Sequence, residues 1–250
     1  KKKKDKNVFE KLLEKSDVLI DNFKPGVLEK MGYNWKYLSK KYPKLVHSKI
    51  SGFGETGPLK NNPAYDIIVQ AMSGLMSITG NEKNNFVRVG TSIGDIAASL
   101  FAVIGILSQL IKRNITNKGS KLDLSMLDCQ VAILENAIAR YMATGNIPGP
   151  MGARHPTITP FDAFATADGY IIVAAGNNSL FQNLCDAIHR NELISDPRFT
   201  SNSSRTDNAD ALKAELESAL KGQITDYWFK VLETAGVPCG PINNVESVVH

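Results

Sequence analysis

The sequence predicts an α/β protein with a parallel sheet, followed by a smaller α+β domain. The first part follows from two apolar runs, Asp17-Val18-Leu19-Ile20 and Leu45-Val46-His47-Ser48-Lys49-Ile50, each ending in turn residues, with the helical segment Trp35 to Tyr42 between them. Strand, helix, strand in that order requires parallel pairing through a crossover. The change of domain follows from Thr144-Gly145-Asn146-Ile147-Pro148-Gly149-Pro150, continued by Gly152, Pro156 and Pro160, which holds too many breakers for a helix or a central strand. The expected division is 1–145 as the large domain, 146–165 as a linker and 166–250 as the small domain.

Within the first part an amphipathic helix is already under way at Asn7-Val8-Phe9-Glu10-Lys11-Leu12-Leu13. The first strand runs into Asp21-Asn22-Phe23-Lys24-Pro25-Gly26, and the second into glycines. From Tyr65 to about Met76, from Asp95 to Lys112 and from Leu122 to about Tyr141 the apolar spacing is helical. The stretch Ile96 to Ile111 approaches the length of a membrane span, but it contains Ser99, Ser108 and Gln109 and opens beside Asp95, so it reads as a buried helix of a soluble core. In the second part Gly169 to Ala175 reads as a strand, and Leu180 to His189, Asp207 to Leu220 and Ile224 to Ala235 as helices.

With 250 residues, 43% hydrophobic and 22% charged, the chain is neither a disordered tail, a collagen nor a mini-protein. The net charge of +4 includes the run Lys1 to Lys4, so the body is near neutral and nucleic acid is not the default partner. Cys129, Cys185 and Cys239 are odd in number and lack a C-x-x-C, which argues for a reducing compartment without disulfides. His47, His155, His189 and His250 show no metal-ligand spacing, so no metal is expected. The chain does not begin with Met, and it reads as a piece of a longer one whose targeting segment would lie outside it. A bacterial cytoplasm and a mitochondrial matrix both fit.

Several motifs carry chemistry. Gly52-Phe53-Gly54-Glu55-Thr56-Gly57 matches G-x-G-x-x-G after a strand, but Pro58-Leu59-Lys60-Asn61-Asn62-Pro63 cannot continue as the helix that a dinucleotide site needs. A glycine loop that lets backbone approach something closely is the preferred reading. Asp95 follows Gly94 at the mouth of the most apolar helix; it is either a helix N-terminal carboxylate or a nucleophile or base in a partly dry site. Asp123 and Asp128 read as first-turn helix residues, and Asp66 as a cap beside the Tyr65 hydroxyl. Lys24 and Lys30 flank the turn after the first strand, where they are either solvated or clamp phosphates. His155, in Gly152-Ala153-Arg154-His155-Pro156, is the histidine placed at the domain junction.

Taken in order, the block from Asp17 to Gly26, then Ser51 to Pro58, Ala64-Tyr65-Asp66 with Gln70-Ala71-Met72-Ser73-Gly74, Gly94-Asp95, Asp168-Gly169-Tyr170 and Gly236 to Asn243 resemble the class III CoA-transferase family, the CaiB/BaiF group. The resemblance implies a Rossmann-like large domain, a small domain, an interlocked homodimer, and further N- and C-terminal parts. It implies Asp95 as the catalytic carboxylate, reversing the capping reading. CoA contacts are implied for Asn22, Phe23, Lys24, Lys30, Pro63, Ala64, Tyr65 and Asp66, with Lys30 standing where arginine is common. An acyl-CoA and a free carboxylic acid are the implied substrates, with no permanently bound cofactor. Gly52 and Gly54 are expected to wall the site, and Arg154 and His155 to anchor the far carboxylate of a short dicarboxylate such as oxalate, succinate, glutarate or hydroxymethylglutarate. Similar α-methylacyl-CoA racemases use a histidine where this chain has Tyr65, and tyrosine is a poor base at neutral pH. An enolising enzyme and a non-catalytic acyl-CoA-binding protein are the competing readings.

Overall fold

The computed structural model describes residues 3–249, so Lys1, Lys2 and His250 lie outside the described residues. The chain divides into two compact units between Pro150 and Met151. In the first, the elements are α1 (Lys3–Leu13), β1 (Val18–Asp21), α2 (Val27–Lys30), α3 (Trp35–Lys41), β2 (Val46–Ser51), α4 (Asp66–Met72), α5 (Leu75–Ile78), α6 (Ile93–Thr116), β3 (Ser120–Ser125), α7 (Met126–Ala132) and α8 (Glu135–Thr144). The strands form one sheet with β2 in the middle, paired in parallel with both neighbours. Their carboxyl ends therefore lie side by side. Asp21 stands opposite Lys49, and Ser51 opposite Ser125.

Sequence spacing reads Leu122 to Tyr141 as one helix, and the structure corrects this. Residues up to Ser125 form β3, and helix begins only at Met126. Leu122 and Leu124 alternate with Lys121, Asp123 and Ser125, a period of two that the apolar run behind it conceals. Asp123 is consequently a strand residue, whereas Asp128 does lie in the first turn of α7, where the Ser125 hydroxyl accepts its N–H at 3.1 Å. The helix expected from Tyr65 to Met76 is likewise split, because Gly74 adopts a left-handed φ of 93° between α4 and α5.

The long helix α6 also departs from expectation. Its buried face is built from Gly94, Ala97, Ala98 and Ala102; Ala97 and Ala98 pack with Val69, Met126 and Cys129, and Gly94 lies against Val69. The bulky residues Leu100, Val103, Ile104, Leu107, Ile111 and Ile115 are exposed in this chain. A buried helix was expected because its composition is apolar all round. Small side chains give the closest approach to α4 and α7, so the sheet side of α6 belongs to Gly and Ala, and the large residues face away. It is the one described helix long and apolar enough to cross a membrane by length and composition.

The second unit is α+β. Strands β4 (Phe161–Ala165), β5 (Tyr170–Ala174) and β6 (Cys239–Pro241) form an antiparallel sheet in that order. They pack with α9 (Asn178–Ala187), α10 (Glu192–Ser195), α11 (Asn202–Asp207), α12 (Ala209–Leu220) and α13 (Thr225–Thr234), and α14 (Val245–Val249) follows. β4 falls inside the stretch expected to be a linker. Its alternation, with Asp162 and Phe164 buried, is too short to stand out behind the six glycines and prolines from Pro148 to Pro160. Phe164, Ile171, Val173, Leu184, Leu212, Leu216 and Leu232 form the core of this unit. Arg205 is fully buried beside them, its guanidinium donating to the Thr159 and Phe199 carbonyls and to Asn178 Oδ1 at 2.7–3.0 Å.

Candidate active site

The carboxyl ends of three parallel strands form the edge at which α/β sheets hold ligands. After β1 the chain turns through Asn22, Phe23 and Lys24, all exposed, and α2 then presents the exposed Lys30. Neither lysine has an ion-pair partner among the described residues, so both charges are free for an anion. The turn is fixed from below. Asp21 is buried, accepts the Phe23 N–H at 3.2 Å, and bonds His47 Nε2 at 2.6 Å. Burial pushes the Asp21 carboxyl up, but the His47 hydrogen bond and the charge of Lys49 outweigh it and hold it below its ordinary value.

After β2 comes the glycine loop. A Cβ on Gly52 would collide with the Ala64 methyl, and Gly54 and Gly57 hold φ of +75° and +79°. The Glu55 N–H donates to Asp123 Oδ2 at 2.8 Å, which ties the loop to β3. No helix opens at Gly57; the next one, α4, begins at Asp66, so the loop lacks the helix of a dinucleotide fingerprint. Pro63 and Tyr65 are exposed and Ala64 is half-buried.

Asp66 and Asp95 are brought together by α4 and α6. Asp66 Oδ1 accepts the Gly94 N–H at 2.8 Å and Oδ2 accepts from Gln70 Nε2 at 2.7 Å, so the Asp66 side chain serves α6 and the Gln70 amide instead of capping its own helix. Gln70 is fully buried, and its Oε1 accepts the Val89 N–H at 2.9 Å, fixing the segment that leads into α6. Gln130 Nε2 reaches the Ile93 carbonyl at 3.2 Å from α7. Among the described residues nothing donates to the Asp95 carboxylate, so it caps nothing. The residue is exposed, but the partial desolvation of its carboxyl, and then the Asp66 charge, raise that carboxyl above the ordinary value. An unbonded carboxylate of raised basicity on a rigid helix start is suited to attack a carbonyl carbon.

In the second unit the expected anchors are engaged locally. Arg154 pairs with Asp210 and lies 3.8 Å from Asp162. His155 Nδ1 accepts the N–H groups of Thr157 and Ile158 at 3.2 and 3.1 Å, and its ring stacks on Phe161 at 5.2 Å. Gln70, Gln130 and the buried group around Lys49 were not singled out for a role from the sequence; a Gln four residues after Asp66 is the one signal that was there to use. A cleft of 880 Å³ lies at the opposite ends of the strands, beside Asp17, Leu45 and Arg113, away from the residues expected to bind CoA. No group of His, Cys, Asp and Glu among the described residues suits a metal ion.

Fold and site together define a two-unit α/β protein whose first unit carries the carboxylates Asp66 and Asp95 at the starts of two packed helices and the unpaired cations Lys24 and Lys30 after its first strand. The sequence profile of CoA-transferase family III matches residues 1–250, and the chain belongs to that family. It is 45% identical to an acetyl-CoA:oxalate CoA-transferase of Acetobacter aceti over 98% of its own length and 64% of that protein's. It is 36% identical to a succinyl-CoA:glutarate CoA-transferase of Homo sapiens over 96% of its length and 55% of that protein's. A crystal structure of a CaiB/BaiF family protein from Brucella suis superimposes with a TM-score of 0.89 at 38% identity, covering 99% of this chain and 66% of that one. The chain thus spans somewhat less than two thirds of the length of the curated relatives it matches.

Proposed function

We propose that the complete protein moves CoA from an acyl-CoA to a free short dicarboxylic acid, with Asp95 as the covalent carrier. The observation that carries this is the unbonded Asp95 carboxylate at the start of α6, with Gly94 locked onto Asp66 beside it. The names of the similar proteins, which join CoA transfer to oxalate and to glutarate, support the substrate class.

The steps balance without an added reactant. An Asp95 oxygen attacks the thioester carbon, expelling CoA thiolate and leaving a mixed anhydride. The thiolate attacks the Asp95 carbonyl, releasing the donor acid and forming an aspartyl thioester. The acceptor carboxylate attacks that carbonyl, again freeing the thiolate and forming a second anhydride. Attack of the thiolate on the acceptor carbonyl yields the new acyl-CoA and restores the Asp95 carboxylate. Each addition creates an oxyanion that needs backbone donors, and each anhydride needs water kept out. Gly52 and Gly54 give the loop the close backbone approach that such donors require. Asn22, Phe23, Lys24 and Lys30, with Pro63, Ala64, Tyr65 and Asp66, are the CoA-facing residues in this reading. CoA is a substrate here, with no resident cofactor.

The working form is a homodimer in this proposal. The exposed apolar face of α6 is the kind of surface that a partner subunit or the remaining chain covers. The test is incubation of the complete protein with succinyl-CoA and a panel of free acids, following new acyl-CoA esters by mass spectrometry. New esters that vanish in Asp95→Ala are expected. Exchange of the α-proton with solvent and no CoA transfer would replace this reading by an enolising one.

A further inference from the structure

We propose that Lys49 is a positioning residue for the CoA-facing edge, a buried cation that holds and neutralises one carboxylate from each of three segments around it. The proposal rests on the reading of that edge as the CoA site. Lys49 lies on the central strand and is 0% exposed. Its Nζ has no hydrogen-bond partner, yet it stands 3.8 Å from Asp21 at the end of β1, 3.9 Å from Glu29 in α2 and 3.8 Å from Glu55 in the glycine loop. A buried ammonium is tolerated where opposite charges surround it, and these three surround Lys49.

Each carboxylate shapes a different part of the edge. Asp21 holds the Phe23 N–H, Glu29 directly precedes Lys30, and Glu55 sits where the glycine loop is tied to Asp123. Asp21 has His47 and Glu55 has Lys121 as additional partners, but Glu29 has no other cation among the described residues and its Oε2 has no partner at all. Without Lys49, three negative charges would stand beside the lysines that meet the phosphates. They would repel one another, which opens the loops, and repel the phosphates, which weakens binding.

The test uses the complete protein, with CoA affinity measured by calorimetry and initial rates measured with succinyl-CoA at two salt concentrations. Lys49→Met is expected to raise KM for the thioester about tenfold while kcat stays within about threefold, since the ammonium touches no reacting atom. The deficit should shrink at higher salt, and adding Glu29→Gln should recover part of it. Glu29→Gln alone, which leaves Lys49 in place and the edge one charge less negative, should lower KM about twofold; it tests the same idea if Lys49→Met does not fold. Unchanged KM in Glu29→Gln, or a loss in Lys49→Met that is insensitive both to salt and to Glu29→Gln, overturns the proposal. A wild-type protein that neither binds CoA nor transfers it removes the reading beneath; wild-type turnover with unaltered variants removes the Lys49 role alone.

Discussion

The Gly94 N–H donates to the Asp66 carboxylate at 2.8 Å, and the next residue is Asp95. One acid thereby fixes the start of the helix that carries the other and raises its basicity at the same time. Asp66→Asn keeps an oxygen for the Gly94 N–H and removes the charge. The Asp95 carboxyl should then fall toward its ordinary value, so the acid limb of the pH profile of kcat/KM moves to lower pH. An acid limb that stays in place in Asp66→Asn would show that Asp66 does not act on Asp95 through its charge.

Asp95 itself should trade stability for chemistry. Its carboxyl is raised in the folded state, so ionisation is easier in the unfolded chain. Below the ordinary value of 3.8 both states are protonated and nothing is lost; as pH rises through the raised native value the penalty becomes complete. Asp95→Asn is expected to lower turnover by about a thousandfold or more, as the loss of a nucleophile does. It should also raise the melting temperature at neutral pH, with the gain fading in acid. Calorimetry across pH checks this, and a variant that melts lower than wild type at pH 7 contradicts it.

A side chain at Gly94 should be refused. A Cβ there would lie 2.9 Å from both Asp66 Oδ1 and Val69 Cγ2, closer than real contacts allow. Alanine gains about 1 kcal/mol over glycine in a helix interior, but overpacking between two helices costs about 1–3 kcal/mol, so Gly94→Ala comes out destabilising. Because the atom struck is the one that holds the Gly94 N–H, kcat should fall as well. Urea unfolding and steady-state rates separate the two effects.

Arg154 gives a sharper contrast. Its guanidinium pairs with the largely exposed Asp210, and the buried Asp162 already has Lys213 at 2.8 Å. Arg154→Ala should therefore cost about 1 kcal/mol or less. The preference between mono- and dicarboxylic acceptors should stay as in wild type if the pairing with Asp210 and Asp162 is its whole role. A selective loss of dicarboxylate turnover would instead make Arg154 the anchor of the far carboxylate.

What could be read in advance followed from local pattern. The parallel strands β1 and β2 were legible because each apolar run ends in Asp, Asn, Pro or Gly; Asp95 stood out as an acid beside glycine in an apolar helix, but the pattern alone favoured a helix N-terminal role and the catalytic one came from the family resemblance. β3 was hidden because Leu122 and Leu124 merge with the helical residues that follow. The fate of α6 was hidden for another reason: composition gives the apolarity of a helix but not which side packs, and here four small residues decide it. Asp123 and Lys49 were missed as partners of Glu55 because their pairing depends on strand register, which links residues far apart in sequence.

The pair Asp21 and His47 should show its contribution through pH. Both side chains are buried and meet at 2.6 Å, so removing the Asp21 charge takes away the charged hydrogen-bond partner of His47 and one of the three carboxylates around Lys49. Losing a buried hydrogen bond to a charged group costs about 1.5–3 kcal/mol. Burial raises the Asp21 carboxyl, yet His47 and Lys49 hold it below 3.8 on balance. The stability it contributes is therefore complete above that ordinary value, and disappears as pH falls through the lowered native one. Asp21→Asn should melt well below wild type at pH 7, with the two curves converging only in strong acid. If the curves instead converge as pH is raised, the carboxylate is destabilised in the folded state, and the hydrogen bond to His47 does not outweigh burial.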